Sequence, residues 1–364
     1  MKENAILVGY SALDELRELA NTAGARIIDE MIQRRQRPDP ATYIGKGKVE
    51  ELREQVLIEG VDVVIFDDEL SPSQQKNLEE ALDTKVVDRT GLILDIFAGR
   101  ARTKEGKLQV ELAQLSYRLT RLAGYSGYLS RLGGGIGTRG PGETKLEMDR
   151  RQIRHRIATL KREIEQIRKH RQLHRERRRR DHLPLVSLVG YTNAGKSTLF
   201  RALSKEDTFV SNRLFSTLDT LIRRIRIRPS PFGRGWRAEG APGEGIGSIL
   251  ISDTVGFIRK LPHQLVSAFR ATLEEVVQAD LILHVIDVSD PDREEKQRVA
   301  LDVLKEIGAG DHPRLTVFNK ADLLPGGHRP PLQDAVGVLV SAVTGEGLEE
   351  LVEQIVHELS TVRV

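Results

Sequence analysis

The chain has 364 residues, enough for roughly two or three domains, of which 39% are apolar and 30% charged, with a formal net charge of +3. It has no cysteine, which excludes disulfides, thiolate zinc sites and cysteine nucleophiles. The opening MKENAILVGYSALDELRELA breaks its apolar residues with acids and arginine, unlike a secretory signal. No stretch approaches 18 apolar residues, so the expectation is a cytoplasmic, monomeric protein without a membrane span.

Three regions follow one another. From Met1 to about Gly99, short β-branched runs (Ala5–Val8, Ala25–Ile28, Val61–Phe66, Lys85–Val87) read as strands. Ser11–Ala20, Lys48–Glu59 and Ser71–Leu82 between them read as helices, the last opened by Ser71-Pro72. This alternation implies a parallel sheet covered by helices, an N-terminal parallel α/β domain over residues 1–99. From about 100 to 182 the chain reads as helical. Leu108, Leu112, Leu115, Leu119 and Leu122 form one stripe; Leu146, Ile153, Ile157, Leu160, Ile164 and Ile167 form another. Each stripe is narrow, which predicts an antiparallel helical hairpin, broken at the glycine-rich Leu132–Gly142. Residues 183–364 return to strand–helix alternation. Strands are expected at Leu185–Val189, Ile222–Ile227, Ile249–Asp253, Leu281–Asp287, Leu315–Phe318 and Val336–Val340, with a Pro- and Gly-rich loop at Pro229–Gly247.

The third region carries the chemistry. Gly190-Tyr-Thr-Asn193-Ala194-Gly195-Lys196-Ser197 follows an apolar strand and leads into the helix STLFRALS (Ser197, Thr198 and onward to Ser204), which is the context of a phosphate-binding loop. Its backbone amides and the helix dipole favour phosphate; Lys196 reaches the β and γ phosphates and the Ser197 hydroxyl holds Mg²⁺. Asp253-Thr254-Val255-Gly256 ends a strand, so that Asp253 holds Mg²⁺ through water and Gly256 lets a backbone N–H approach the γ-phosphate. Asn319-Lys320-Ala321-Asp322 ends another. The Asp322 carboxylate accepts from guanine N1–H and the exocyclic amine, a donor pair adenine lacks. Ser341-Ala342-Val343 brings a backbone N–H to the guanine oxygen. Phe215-Ser216-Thr217-Leu218-Asp219-Thr220 sits where a switch segment belongs; Thr217 is the expected third Mg²⁺ ligand, with Thr220 as the competing choice. These motifs predict a Ras-like P-loop domain that binds GTP. Phe257 stands where many GTPases carry a water-orienting glutamine, so no catalytic residue is assigned and slow intrinsic hydrolysis is expected. Asn193 is a candidate K⁺ ligand, the alternative being an asparagine that stabilises the loop.

The chain resembles the HflX-type GTPases through TYIGKGKVEEL (Thr42–Leu52), FDDELSPSQQKNLE (Phe66–Glu79), VVDRTGLILDIFAGRART (Val86–Thr103) and GGGIGTRGPGETKLE (Gly133–Glu147). GYTNAGKSTLF and DTVGFIRKLPHQLVSAFRATLEE (Asp253–Glu275) extend the likeness into the third region. The resemblance implies a family-specific N-terminal domain, a helical linker and a Ras-like domain. It also implies binding to the large ribosomal subunit and its rRNA, and splitting of stalled or stressed ribosomes with GTP bound. Two departures stand out: the chain stops soon after the last Ras-like helix, and the Pro229–Gly247 loop is longer than the family's usual hairpin. ATP binding by the N-terminal domain, described for some members, has no phosphate loop to support it here.

Charge agrees with an RNA partner. Lys145–Arg180 holds fifteen Lys or Arg against five Asp or Glu, so the remainder of the chain is net negative. Arg139, Lys145, Arg177, Arg178, Arg179 and Arg180 are the expected RNA contacts, against the blander reading of a solvated helix face. Gly137–Thr144 imitates a phosphate loop, but Glu143 replaces the lysine and repels phosphate. Two other functions compete with the ribosomal switch: an RNA-remodelling ATPase or nucleotide kinase, which Asn319–Asp322 opposes, and a binding module whose nucleotide is never hydrolysed.

Overall fold

The computed structural model describes residues 2–34, 37–132, 145–180, 183–204, 214–215, 220–227, 247–260, 273–324 and 337–361; for 123–132, 145–146, 170–180 and 247 only the backbone path is described. The chain divides into two compact units, with the division inside one long helix at Gln166/Ile167.

In the first unit, β1 (Asn4–Gly9), α1 (Asp14–Ala23), β2 (Arg26–Ile32), α2 (Lys46–Glu59), β3 (Val63–Phe66), α3 (Pro72–Leu82) and β4 (Lys85–Asp88) alternate. All strand pairs are parallel, in the order β2-β1-β3-β4. β2 runs four residues beyond the expected Ile28 because it is an edge strand, where Asp29 and Glu30 keep access to water. α1 begins at Asp14 rather than Ser11, with Leu13 at its N-cap and no side-chain cap. The Ser71 start holds: Ser71 Oγ accepts from Gln74 N at 3.2 Å and Gln74 Oε1 accepts from Ser71 N at 2.9 Å, a reciprocal capping box with Pro72 in the first turn. Ile6, Val8, Leu52, Val64, Phe66 and Leu78 form the core on one face of the sheet.

One helix escaped the sequence reading. α4 (Arg89–Arg100) buries Leu92, Ile93, Leu94, Ile96 and Phe97 and exposes Asp95, Ala98 and Gly99; its apolar residues form a short run rather than a spaced stripe. Its N-cap, Asp88, is fully buried and collects four donors: Leu70 N at 3.0 Å, Gly91 N at 2.8 Å, Tyr117 Oη at 2.7 Å and the Arg121 guanidinium. Tyr117 and Arg121 belong to α5 (Lys104–Leu132), which packs on α3 and α4. The next residue, Arg89, is buried and pairs with Asp67 at 2.6 Å and Glu15 at 3.2 Å. In α6 (Lys145–Arg180), Leu160 and Ile164 are buried and Ile153, Ile157 and Ile167 partly so, and Arg156 forks onto Glu111 of α5 at 2.7 and 2.9 Å.

The second unit adds β5 (Leu185–Val189), α7 (Lys196–Ser204), β6 (Leu221–Ile227), β7 (Gly247–Asp253), β8 (Leu281–Asp287), α8 (Arg293–Glu306), β9 (Arg314–Asn319), β10 (Gly337–Leu339) and α9 (Leu348–Thr361). The sheet order is β10-β9-β8-β5-β7-β6, parallel except that β6 runs antiparallel to β7, with Leu221 opposite Asp253. β5 and β8 lie inside the sheet and are mainly apolar, with Ser187, His284 and Asp287 as the exceptions, as befits strands covered on both faces. Edge strand β6 instead carries exposed Arg223, Arg224 and Arg226, charges that discourage pairing with another chain. Gly247, expected in the loop, opens β7; residues 229–246 lie outside the described residues.

Candidate nucleotide site

The parallel strands β5, β7, β8 and β9 end on the same edge of the sheet, and the sequence motifs lie at those ends. After β5 the chain turns at Gly190, whose φ is 148°; a Cβ there would sit 2.2 Å from the Val285 carbonyl oxygen. Gly195 has φ 86° and lies so close to Asn319 that a Cβ would meet its Nδ2 at 2.2 Å. Only glycine fits either position. Asn193 also takes a left-handed conformation, φ 63°, which asparagine tolerates best among residues with a side chain.

Lys196 opens α7 and is buried, with Nζ donating to the carbonyls of Gly190 at 3.1 Å and Tyr191 at 2.7 Å. Burial pulls its pKa down to about 8, with Asp253 acting in the opposite sense. Ser197 Oγ donates to Asp253 Oδ2 at 2.6 Å. Asp253 is fully buried, and the Thr254 hydroxyl anchors the motif by donating to Leu188 O at 2.6 Å. Gly256 presses on the loop: a Cβ would lie 2.8 Å from Lys196 Nζ and 2.9 Å from Thr192 Cα.

Asn319 ties two loops together. Its Nδ2 donates to Ala194 O at 2.9 Å and its Oδ1 accepts from Ala342 N at 3.0 Å. The Ala342 amide is thus directed at Asn319, a use the sequence did not reveal. Lys320 has φ 69° and its ammonium pairs with Asp287 at 2.6 Å. Asp322 lies in a short 3-10 turn, Ala321–Leu323, and Ser341 Oγ donates to its Oδ1 at 2.5 Å. Val343 is exposed. Phe257 is 2% exposed, in a cluster with Val189, Val276, Ile282, Ala300 and Val303, so its ring faces the core.

Of the remaining expected residues, Phe215 is buried with φ 54°, while Ser216, Thr217, Leu218 and Asp219 lie outside the described residues. So does Arg139; the side chains of Lys145 and Arg177–Arg180 also lie outside them.

Three family models match successive parts of the chain. Residues 10–98 match the family model for the GTP-binding GTPase N-terminal region, 100–178 that for the GTP-binding GTPase middle region, and 185–320 that for the 50S ribosome-binding GTPase. GTPase HflX of Caldanaerobacter subterraneus subsp. tengcongensis is 52% identical over 368 residues, covering 98% of this chain and 81% of the relative. The chain belongs to the HflX family. GTPase HflX of Escherichia coli K12 is 45% identical over 352 residues, covering 96% of this chain and 79% of its own. The crystal structure of SsGBP with GDP superposes with a TM-score of 0.52 at 26% identity over the whole of both chains. HflX proteins are GTPases, and this member hydrolyses GTP to GDP and phosphate. Among the described residues, no helix is long and apolar enough to cross a membrane.

Beneath the HflX phosphate loop, His284 on β8 is 1% exposed between Val189 of β5 and Thr316 of β9, and among the described residues its Nδ1 has no hydrogen-bond partner. Burial, reinforced by Arg314 and Lys196, pulls its pKa down to about 4 from 6.5. Between those values the unfolded chain binds a proton that the folded chain refuses, so stability falls as pH drops from 6.5 towards 4. A His284→Leu variant is expected to lose about 2 kcal/mol less stability than the parent between pH 7 and pH 5, read from urea midpoints. Parallel losses in both proteins would show that His284 titrates normally.

Proposed function

We propose that this protein is a GTP-driven switch that docks on the large ribosomal subunit through rRNA and splits stalled or stressed ribosomes. The observation that carries the nucleotide half is Asn319, which joins the phosphate loop at Ala194 to the Ser341–Val343 loop and so sets Asp322 at a fixed place relative to Lys196. The match of residues 185–320 to the 50S ribosome-binding GTPase model, together with the basic charge of Lys145–Arg180, supports the ribosomal half. The work belongs in the cytoplasm, where ribosomes stall.

In this reading the amides of Gly190–Thr198 and the Lys196 ammonium cradle the phosphates, and Asp322 selects guanine while Lys320 covers the base. Lys196 exchanges the carbonyls of Gly190 and Tyr191 for phosphate oxygens, which are charged and therefore stronger acceptors. Hard oxygen donors suit Mg²⁺, and the Ser197 hydroxyl beside Asp253 fits it, with Thr217 as the third ligand. When bound, Mg²⁺ neutralises charge on the β and γ phosphates. Phe257 offers the attacking water nothing, since it lacks a polar group and faces the core. The intrinsic rate is therefore low, and the ribosome supplies what is missing. The domains assigned to these tasks are residues 1–99, 100–182 and 183–364.

Hydrolysis measured with and without purified large ribosomal subunits tests the proposal, with Lys196→Ala as the blank. Stimulation on the order of 10²-fold or more is expected. Tight GTP binding without stimulation would overturn the ribosomal reading and leave a nucleotide-dependent binding module. The same assay in K⁺ and in Na⁺ tests Asn193 as a K⁺ ligand; equal rates would exclude that role.

A further inference from the structure

The phosphate-loop pattern leaves the second residue unspecified, and here it is Tyr191. Three of its groups serve three partners. Its carbonyl accepts from Lys196 Nζ at 2.7 Å. Its hydroxyl accepts from the backbone amide of Arg259 at 2.7 Å. Its ring lies 5.5 Å from Lys296 Nζ, and Lys296 in turn pairs with Asp290 at 2.5 Å. On either side of Tyr191, Thr192 N donates to Phe257 O at 2.8 Å and Gly190 O accepts from Phe257 N at 3.1 Å. Residues 257–259 are thereby zipped to the phosphate loop as a short parallel bridge. The Arg259 guanidinium extends the zipper to α8, pairing with Glu295 at 2.9 Å and Asp292 at 3.3 Å.

This arrangement parks the segment. The Phe257 ring and the whole of Ile258 are buried, and both main-chain polar groups of Phe257 bond to the phosphate loop. For any group of residues 257–259 to approach a γ-phosphate, the zipper has to open. Of the three bonds described, the one from the Arg259 amide to Tyr191 Oη runs through a side chain, and the same residue also holds the lysine. A phosphate oxygen that draws Lys196 away from the Tyr191 carbonyl removes one of that residue's anchors, leaving the carbonyl to the Ala194 amide at 3.3 Å.

We propose that Tyr191 is a positioning residue that reports the state of Lys196 to residues 257–259, holding them against the core until the lysine engages phosphate. The inference rests on residues 190–197 and 253–256 being the GTP site. It makes the segment's release, rather than its chemistry alone, a limit on the partner-free rate. Removing the latch raises that rate by about fivefold, the population shift set by one ordinary hydrogen bond.

The test compares full-length wild type with Tyr191→Phe in single-turnover hydrolysis without ribosomes, at GTP concentrations shown by titration to saturate each protein. Hydrogen exchange at the Arg259 amide is read with and without a non-hydrolysable GTP analogue. A faster single turnover in the variant is expected. The Arg259 amide is expected to exchange faster on analogue binding in wild type, and fast under both conditions in the variant. Arg259→Gln, which keeps the amide and removes the ion pairs, is expected to shift both readouts the same way by less. An unchanged or slower turnover at saturating GTP, or equal protection of the Arg259 amide in both proteins, would overturn the proposal while leaving the GTP site intact. Failure of wild type to bind GTP at all would overturn the site assignment beneath it as well.

Discussion

Replacing Asp322 with asparagine is expected to weaken GTP binding on the order of 10³-fold and to improve binding of xanthosine triphosphate. The carboxylate is an acceptor only, matched to the two donors of guanine. Asparagine turns one of those acceptors into an amine that faces an amine, and two charge-assisted bonds worth roughly 1.5–3 kcal/mol each disappear. Xanthine carries an oxygen where guanine carries the amine, so the same change suits it. The fold supports a clean result: Asp322 stands on a three-residue turn at the surface, and Ser341 Oγ orients its Oδ1 at 2.5 Å, so no core packing is disturbed. Isothermal titration with GTP, ATP and xanthosine triphosphate reads the outcome. Retention of GTP affinity by the variant, or equal binding of ATP and GTP by the parent, would place base recognition elsewhere.

The largest effect on stability is expected in the other unit, at Asp88. Its carboxylate is fully buried and takes two backbone amides, a tyrosine hydroxyl and a guanidinium. Asp88→Ala leaves Arg121 largely buried without its counter-charge, the Leu70 amide without its acceptor and α4 without its cap. Losses of about 3–5 kcal/mol are typical of breaking such a buried pair. Denaturant unfolding followed by hydrogen exchange in β4 and α4 reports it, and GTP titration of the same variant separates a destabilised first unit from a damaged nucleotide site. Asp88→Asn, which still accepts hydrogen bonds, is expected to lose less. If Asp88→Ala unfolds at the parent's midpoint, the cluster contributes nothing net.

These two residues mark what a sequence reveals and what it hides. Asp322 stands out in the sequence because it belongs to a contiguous motif, Asn-Lys-Ala-Asp after an apolar strand, although its partner Ser341 lies 19 residues on. The strands of both sheets were legible for a similar reason, since β-branched runs between turn residues need no long-range information. Asp88 was not legible. Its partners lie 3, 18, 29 and 33 residues away, and only the packing of α5 on α3 and α4 brings the last two to it. Helix α4 was hidden because its buried apolar residues crowd into Leu92–Phe97, a short apolar run in which periodicity does not separate helix from strand. Tyr191 and Arg259 were hidden for a third reason: a hydroxyl bonded to a backbone amide 68 residues on leaves no trace in local pattern.

The antiparallel turn of the sheet at β6 sets a distance limit. Leu221 is locked opposite Asp253, so the acidic residue proposed to hold Mg²⁺ and the first residue of β6 share one rung of the ladder. Thr217 lies four residues upstream, and covalent reach alone keeps its Cα within about 14 Å of Leu221. If Thr217 is the third Mg²⁺ ligand, as proposed, its hydroxyl is tethered to the site at a high effective concentration, so its recruitment is intramolecular and insensitive to dilution. Lengthening that tether by inserted glycines lowers the local concentration without touching any ligand, which makes the closing of the metal shell adjustable through chain length.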